Sequence, residues 1–165
     1  MLLVAPCRER RELDQVVTEH HFEDFAVGQV FGSGRVRVDG DRMVAFAAEF
    51  DPQAFHLDPK EARHMFFQRL VASGWYTAAL TMRLLVDSDL RPADGIIGLG
   101  FEELRWPQPV RPGDELHLHT EVLELRPSRS RPEHGLVKLR MTTRNRADEA
   151  VQVLVGTLLV GRRRS

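Results

Sequence analysis

The sequence predicts a single α+β domain in which an antiparallel β-sheet wraps around one long apolar helix. Three observations carry this prediction. The chain has 165 residues, which suffices for one ordinary core and is too short for two domains of average size. One largely apolar helix is indicated over residues 74–86. Consecutive strand patterns follow it, and such strands are best paired as an antiparallel sheet curled around the helix.

The N-terminal third begins with a weakly patterned segment and continues into a strand. Residues 1–21 have mixed charge and no sustained periodicity, so we expect an arm or short helix outside the core. Residues 30–38 are predicted as the first strand, because their valines at both ends share one parity with Gly32 and Gly34. Glycines inside a strand indicate a twist or a bulge, which we therefore expect here.

Two helix patterns follow this strand. The first covers residues 39–50 with apolar residues at helical spacing, and it ends because Pro52 disfavours the α region for Asp51. The second is predicted over residues 59–67, since Asp58 is a strong N-cap and a proline occupies the first helical position. The connection between the two helices is therefore short and held at both ends.

The longest helix pattern runs from Gly74 to about Val86 and has Ser73 as its N-cap. Apolar residues recur along it at three- and four-residue steps, so we expect the helix to be buried. The stripe consists of Trp75, Ala78, Ala79, Met82, Leu85 and Val86. Trp75, Tyr76 and Met82 are expected in the core. Four strands are then predicted from alternation and turn residues, over residues 96–103, 115–125, 137–143 and 150–160.

Composition and charge exclude several classes of function. Lysine and arginine number 23 against 24 aspartates and glutamates, so the excess positive charge of a nucleic-acid-binding protein is missing. The single cysteine, Cys7, excludes an internal disulfide framework and multi-cysteine metal sites, which fits a reducing compartment. The apolar run 2–6 is too short for a signal-peptide core or a membrane span. We expect a cytoplasmic protein that binds neither nucleic acid nor membrane.

Asp51 and His56 lie five residues apart in the connection between the first two predicted helices. A carboxylate and an imidazole held together can bind one water and move its proton. Free N–H groups at a helix start, here at Ser73-Gly74, can polarise a carbonyl oxygen. Adding water to an activated double bond, or removing it, requires both abilities. The alternative is that Asp51 caps a turn and His56 fills a polar corner through local hydrogen bonds.

Other polar groups are weaker candidates. His117 and His119 share one strand face, but no further ligand pattern accompanies them, so we expect solvent-facing side chains there and no metal site. The arginines of the loop 126–132 are expected to be solvated, with phosphate binding as the lesser alternative. The run Arg162–Arg164 is expected to form a solvated tail.

The stretch Phe50–Pro59, which reads FDPQAFHLDP, resembles the motif of the MaoC-like dehydratases of the hotdog fold. This family includes the (R)-specific enoyl-CoA hydratases. The resemblance covers residues 22–161, and residues 106–114 resemble the segment that leads into the family's third strand. Residues 1–21 and 162–165 lie outside it, as an N-terminal arm and a basic C-terminal tail.

The resemblance can be followed residue by residue. The family's hydratase motif reads Gly-Asp-x-Asn-Pro-x-His, and Asp51 and His56 fall on its acid and its histidine. Gly74 falls on the glycine that opens the buried helix. The motif's glycine, asparagine and proline are replaced here by Phe50, Gln53 and Ala54.

The resemblance implies a function and a site. Asp51 and His56 would hold and activate water, and the Gly74 N–H would bind the thioester oxygen of a trans-2-enoyl-CoA. The product would be an (R)-3-hydroxyacyl-CoA, and no metal or other cofactor is needed. Further substrate contacts are expected from Gln53, Phe55, Ser73 and Trp75. The family's assembly implies at least a homodimer, with the sheets edge to edge and the site near the shared surface.

Two alternatives to a hydratase remain on this fold. A thioesterase is one, because a hotdog scaffold does not by itself determine the reaction. A domain that binds acyl-CoA without turnover is the other. The paired acid and base favour the hydro-lyase, since a binding module has no need of them.

Overall fold

The computed structural model of the protein describes residues 19–164. Its strands are β1 (Val30–Arg37), β2 (Ile97–Arg105), β3 (Glu115–Pro127), β4 (His134–Arg144) and β5 (Ala150–Gly161). Its helices are α1 (Gly40–Phe50), α2 (Ala54–Leu57), α3 (Pro59–Ala62) and α4 (Gly74–Val86), preceded by a short 3-10 helix (Phe22–Asp24). The strands form one antiparallel sheet in the order β1-β3-β4-β5-β2. The predicted α+β class is confirmed.

Helix α4 is the long helix that packs on this sheet, against β1 and β3. Ser73 caps it as predicted, with its hydroxyl oxygen accepting the Trp75 N–H at 3.3 Å. The main core lies between α4, α1 and the sheet, where Met43, Leu116 and Val122 have no exposed surface. Ala72 and Tyr76, which flank the start of α4, belong to this core.

The predicted buried face of α4 is only partly correct, with Tyr76 and Leu85 buried as expected. The buried residues are Tyr76, Thr77, Thr81, Leu84 and Leu85, whereas Trp75, Met82 and Val86 are 58%, 46% and 56% exposed. Two threonines account for the difference. The Thr81 hydroxyl donates to the Thr77 carbonyl one turn earlier at 3.0 Å, so its polar atom is satisfied inside the protein. Hydrophobic periodicity counts threonine as polar, so it shifted the predicted buried face away from Thr77 and Thr81 and towards Trp75, Met82 and Val86.

A buried polar network ties α4 to the sheet. The Gln152 amide nitrogen donates to the Thr81 hydroxyl at 3.0 Å, and the Thr81 and Thr143 hydroxyls lie 2.6 Å apart. The Gln152 amide oxygen accepts the Trp106 indole N–H at 2.8 Å. Gln152 itself has no exposed surface, so its hydrogen bonds replace those that water would make.

Removing this amide is expected to destabilise the fold. Gln152→Leu keeps a similar volume but leaves the Trp106 N–H without its acceptor, which we expect to lower the free energy of unfolding by about 1–3 kcal/mol. Urea titration measures the change. Gln108→Leu, at an exposed glutamine, is the matched control and should change stability by less than about 0.5 kcal/mol. Equal effects of the two substitutions would contradict a structural role for the network.

Strand β1 contains the bulge that its glycines predicted. The pairing of β1 with β3 shifts between Gly32 and Arg35, and the Ser33 hydroxyl oxygen accepts the Leu118 N–H across the gap at 2.9 Å. Because of the bulge, the two faces of this strand do not follow the single alternation that the sequence predicted. Phe31 is buried at 6% exposure, whereas Val30 is 52% exposed.

The second predicted helix is too long. It ends at Ala62 rather than at about Phe67, because the next turns are closed by hydrogen bonds over three residues, such as Met65 N–H to the Ala62 carbonyl at 3.2 Å. Phe66 is 91% exposed, so a longer helix would have no core to pack against. The connection before it contains the short helix α2, which at four residues leaves no periodicity in the sequence.

The start of the described chain is part of the domain. The His20 N–H donates to the Arg91 carbonyl and the Ala93 N–H donates to the His20 carbonyl, both at 2.8 Å. The His20 ring packs edge-on against Phe31, with centroids 5.5 Å apart. His20, which the sequence analysis assigned to the N-terminal arm, is thus bonded to the rest of the domain. The rest of that prediction, over residues 1–18, lies outside the described residues.

The basic C-terminal segment is not simply a solvated tail. The Arg162 guanidinium donates to Glu23 at 2.9 Å, and that of Arg163 donates to Asp24 at 2.6 Å. The side-chain hydrogen bond from Arg162, followed by the backbone N–H of Arg163, lowers the pKa of Glu23 from 4.5 to about 2. The two ends of the described chain are thereby joined.

This contact makes a pH-dependent contribution to stability. Because the pKa of Glu23 is depressed in the folded state, the contribution is present above 4.5 and is lost as the pH falls towards about 2. We expect Glu23→Gln to lower the melting temperature near neutral pH and to lower it less in strong acid. Glu49→Gln, at an exposed glutamate of α1, is the control. Thermal unfolding across this pH range measures both, and a pH-independent effect of Glu23→Gln would contradict the assignment.

Candidate active site

The structure brings the predicted acid and imidazole together. Asp51 is the C-cap residue that directly follows α1, and its N–H still donates to the Ala47 carbonyl at 2.9 Å. His56 lies on α2, two residues before the Asp58 cap of α3. The distance between the Asp51 Oδ2 and the His56 Nε2 is 3.3 Å, and their side chains are 19% and 7% exposed. Three short backbone elements thus position the pair.

A backbone carbonyl determines how the His56 ring is oriented. The His56 Nδ1 lies 2.8 Å from the Val71 carbonyl oxygen. Since a carbonyl only accepts, Nδ1 carries the hydrogen, and in the neutral ring Nε2 presents its lone pair towards Asp51. Phe55 packs edge-on against this ring, with centroids 4.4 Å apart. No side-chain signal in the sequence could have identified the Val71 carbonyl.

Two neighbours hold the Asp51 carboxylate. The Ser73 hydroxyl donates to Oδ2 at 2.6 Å, and the Gln53 amide donates to Oδ1 at 2.6 Å. The Ser73 hydrogen bond lowers the pKa of Asp51 against the opposing effect of burial, the Gln53 hydrogen bond lowers it further, and the charge of His56 does so only when that ring is protonated. The carboxylate is therefore ionised at neutral pH.

Ser73 has a role that the sequence did not reveal. It was predicted as a helix cap and as a substrate contact, and it caps α4 while also binding Asp51, which lies 22 residues away in the chain. Ser73 has no exposed surface. Gln53, also predicted as a substrate contact, directs its amide at Asp51. Both residues therefore orient the carboxylate in this structure.

Gly74 begins α4 beside this pair. As the first residue of the helix, its N–H has no acceptor within the helix, and the helix dipole adds positive potential at this end. A Cβ on Gly74 would lie 2.7 Å from the Trp106 indole, closer than such contacts allow. The absence of a side chain at position 74 therefore makes room for the indole of Trp106.

A cavity of about 530 Å³ adjoins these groups and is lined by both His56 and Gly74. Its aromatic lining residues are Phe55, Phe66, Phe67 and Trp106, and its other polar ones are Thr77, Gln108 and Arg111. Asp51 is not a lining residue and contacts His56, which is. This volume and largely apolar lining are those of a small-molecule site.

Trp75 and the two strand histidines lie outside this cavity. Trp75, a predicted substrate contact, is 58% exposed and packs against Trp106 with centroids 5.8 Å apart. His119 is exposed as predicted, whereas the His117 side chain is only 24% exposed and its Nε2 lies 3.6 Å from Asp148. Within residues 19–164, no three or more His, Cys, Asp or Glu side chains are grouped as metal ligands.

Comparison with known proteins identifies the family. The family model described as "MaoC like domain" matches residues 21–145. The chain belongs to this family. The MaoC-like chain is 34% identical over 138 residues, or 84% of its length and 95% of the relative's, to the uncharacterized protein YdeM of Bacillus subtilis. Both the predicted family and the predicted hotdog fold are confirmed.

Solved structures of MaoC-like proteins are similar along most of the chain. The MaoC-like dehydratase from Rhodospirillum rubrum is 53% identical with a TM-score of 0.84, covering 88% of this chain and 99% of that one. The (R)-hydratase PhaJ1 from Pseudomonas aeruginosa is 26% identical with a TM-score of 0.70, covering 87% of this chain and 86% of that one.

In residues 19–164, no helix has the length and apolar character to cross a membrane.

Proposed function

We propose that this MaoC-like protein is a hydro-lyase that adds water to a trans-2-enoyl thioester, giving an (R)-3-hydroxyacyl thioester, and that it catalyses the reverse dehydration. One observation carries the proposal. An ionised Asp51 lies 3.3 Å from the His56 Nε2, and His56 shares a cavity with the free helix start at Gly74. The likeness to an (R)-hydratase of known structure supports it.

The proposed mechanism begins with the water. The Asp51 carboxylate and the His56 lone pair are both acceptors, so a water donating to them would direct its own lone pairs away, towards the substrate. As the water oxygen bonds to the β-carbon, His56 takes its proton, and the π electrons move towards the thioester oxygen. The enolate then collects that proton at its α-carbon from the same side.

The Gly74 N–H would stabilise the negative charge that develops on the thioester oxygen. Such stabilisation accelerates the reaction because the donor is already oriented and the charge grows only in the transition state. All electrons remain within the substrate and water, so the proposed reaction uses no cofactor. We propose a CoA thioester as the substrate and the cytoplasm as the compartment, and the single Cys7 supports the latter.

Conjugated enoyl thioesters absorb light, and hydration removes this absorbance. Short, medium and branched enoyl-CoA substrates are to be tested. We expect the wild-type protein to decrease the absorbance of at least one of them without releasing free thiol. Thiol release with no prior hydration would indicate a thioesterase instead. Intact thioester after long incubation, with measurable binding, would indicate a binding domain.

The outer strand of the sheet suggests how subunits associate. We propose at least a homodimer, because β2 is an edge strand whose Ile97, Leu99 and Phe101 are 40%, 57% and 61% exposed. Exposed apolar residues along an unpaired edge are typical of an association surface.

We expect light scattering to give at least twice the mass of one chain, and Leu99→Glu to lower it to that of a monomer. Val27→Glu changes an exposed residue (65%) that precedes β1, at the opposite side of the sheet from β2, and should leave the mass unchanged. A wild-type protein that is monomeric at micromolar concentrations would contradict this assembly.

A further inference from the structure

Arg111 is a charged residue that the proposed mechanism does not use. It lines the same cavity as His56 and Gly74. Its Nε atom is buried and has no hydrogen-bond partner among residues 19–164. Within that range its guanidinium also takes part in none of the ion pairs, in contrast to Arg35 with Glu115 at 2.9 Å. Arg111, a half-buried residue, thus brings one buried donor without a protein partner to an otherwise largely apolar cavity.

Such an arrangement is costly unless something occupies it. A guanidinium is always charged and offers five N–H donors. Leaving a buried donor of a charged group without an acceptor costs more than a typical hydrogen bond contributes. Native proteins seldom retain such atoms, and the explanations for those that remain include a catalytic role or a bound ion. The missing acceptor is expected to be an anion, since oxyanions match the planar fork of donors.

The backbone around Arg111 is held firmly. The Arg111 N–H donates to the Asp114 carboxylate at 2.9 Å. The preceding residue, Val110, is 2% exposed, and its carbonyl accepts the Ala72 N–H at 2.8 Å. This last bond joins the β2–β3 connection to the segment just before Ser73. Arg111 therefore keeps a fixed place relative to the start of α4.

We propose that Arg111 binds an oxyanion of the thioester substrate while its enoyl group lies at His56 and Gly74. The oxyanion is either a carboxylate on the acyl group or a phosphate of the carrier arm. The inference rests on the proposed function and extends it, because it requires an anionic group in the part of the substrate that enters this cavity. Both the carboxylate and the phosphate would offer Arg111 an oxyanion, and different substrates distinguish between them.

Four substrates separate the sources. Crotonyl and glutaconyl groups differ by a terminal carboxylate, and each is offered as the CoA thioester and as the phosphate-free N-acetylcysteamine thioester. Loss of a charged hydrogen bond should raise KM about 10- to 100-fold, with a smaller change in kcat. If the phosphate is the partner, Arg111→Met raises KM for both CoA thioesters only. If the carboxylate is the partner, it raises KM for both glutaconyl thioesters only.

Two controls and one replacement variant make the outcome decisive. Arg111→Lys keeps a positive charge and should recover part of the loss, whereas Arg129→Met, at an exposed arginine of the β3–β4 loop, should change nothing. Should Arg111→Met fail to fold, Arg111→Gln takes its place. An unchanged KM for all four substrates in a folded variant would overturn the proposal.

The inference can also be tested apart from turnover. Butyryl-CoA and glutaryl-CoA lack the reactive double bond, and calorimetry measures their binding to the wild type and to Arg111→Met. Weaker binding of either ligand by the variant supports the oxyanion site even if no enoyl thioester is hydrated. Equal binding overturns it, and hydration by the wild type would in that case leave the proposed function intact.

Discussion

Asp51→Asn is expected to lower kcat/KM for enoyl-CoA hydration by about 10²- to 10⁴-fold, the range by which a positioned acid or base contributes to catalysis. The substitution keeps the size of the side chain, and an amide oxygen still accepts the Ser73 hydroxyl, which lies 2.6 Å from the carboxylate. It removes the negative charge beside the His56 Nε2. Without that charge, the imidazolium formed during proton transfer loses its partner.

The absorbance of the conjugated thioester measures this loss, and thermal unfolding verifies that the variant folds. Asp41→Asn removes a carboxylate from the first turn of α1, where it is exposed, and should retain full activity. Hydration by Asp51→Asn at more than about a tenth of the wild-type rate would be incompatible with the proposed pair, given the size of such effects.

Ser73→Ala distinguishes an effect of Ser73 on the Asp51 carboxylate from a purely structural role as the helix cap. The Ser73 hydrogen bond is the largest cause of the lowered pKa of Asp51. Its loss should raise the pKa, so that the acidic limb of the pH–rate profile moves to higher pH. A variant that is less active but has an unmoved acidic limb would show that Ser73 acts only as the helix cap.

Gly74→Ala is expected to have the second large effect, lowering the free energy of unfolding by about 1–3 kcal/mol through overpacking and reducing activity. The new methyl group would lie 2.7 Å from the Trp106 indole. That indole cannot move freely, because its N–H donates to the buried Gln152 at 2.8 Å. Either the ring or the start of α4 must shift, and both line the cavity.

A double-mutant cycle isolates this clash. Trp106→Ala removes the ring, so Gly74→Ala should cost much less in that background, and the two effects should be clearly non-additive. Urea unfolding of the four proteins gives the coupling. Gly34→Ala, at a glycine with no atom within 4 Å of the added Cβ, is the control. Strict additivity would mean that Trp106 is not what excludes a side chain at position 74.

The sequence was sufficient for features encoded within a few residues. The spacing of Asp51 and His56 and the Ser73 cap all depend on local backbone geometry, and the structure contains each of them. The order of one long helix and the successive strands after it was equally visible. These elements place the candidate site at the start of α4.

Features that depend on distant partners were not predictable. The buried face of α4 was predicted only in part, because Thr81 bonds not only to the Thr77 carbonyl but also to Gln152 and Thr143, which lie far along the chain. The hydrogen bond between Ser73 and Asp51, the Val71 carbonyl at His56 and the unpaired Arg111 likewise follow only from tertiary packing. In each case the residue type gives no indication of the role, which follows only from the residue or cavity that the side chain contacts in the fold.

Hydration in heavy water reveals whether one imidazole–carboxylate pair both activates the water and returns its proton. If His56 and Asp51 act together from one side of the double bond, a trans-2-enoyl-CoA should give only the (R)-3-hydroxyacyl product. A single deuterium should then lie on the α-carbon, on the face that received the hydroxyl group. Deuterium on the opposite face, or on both faces, would contradict the account.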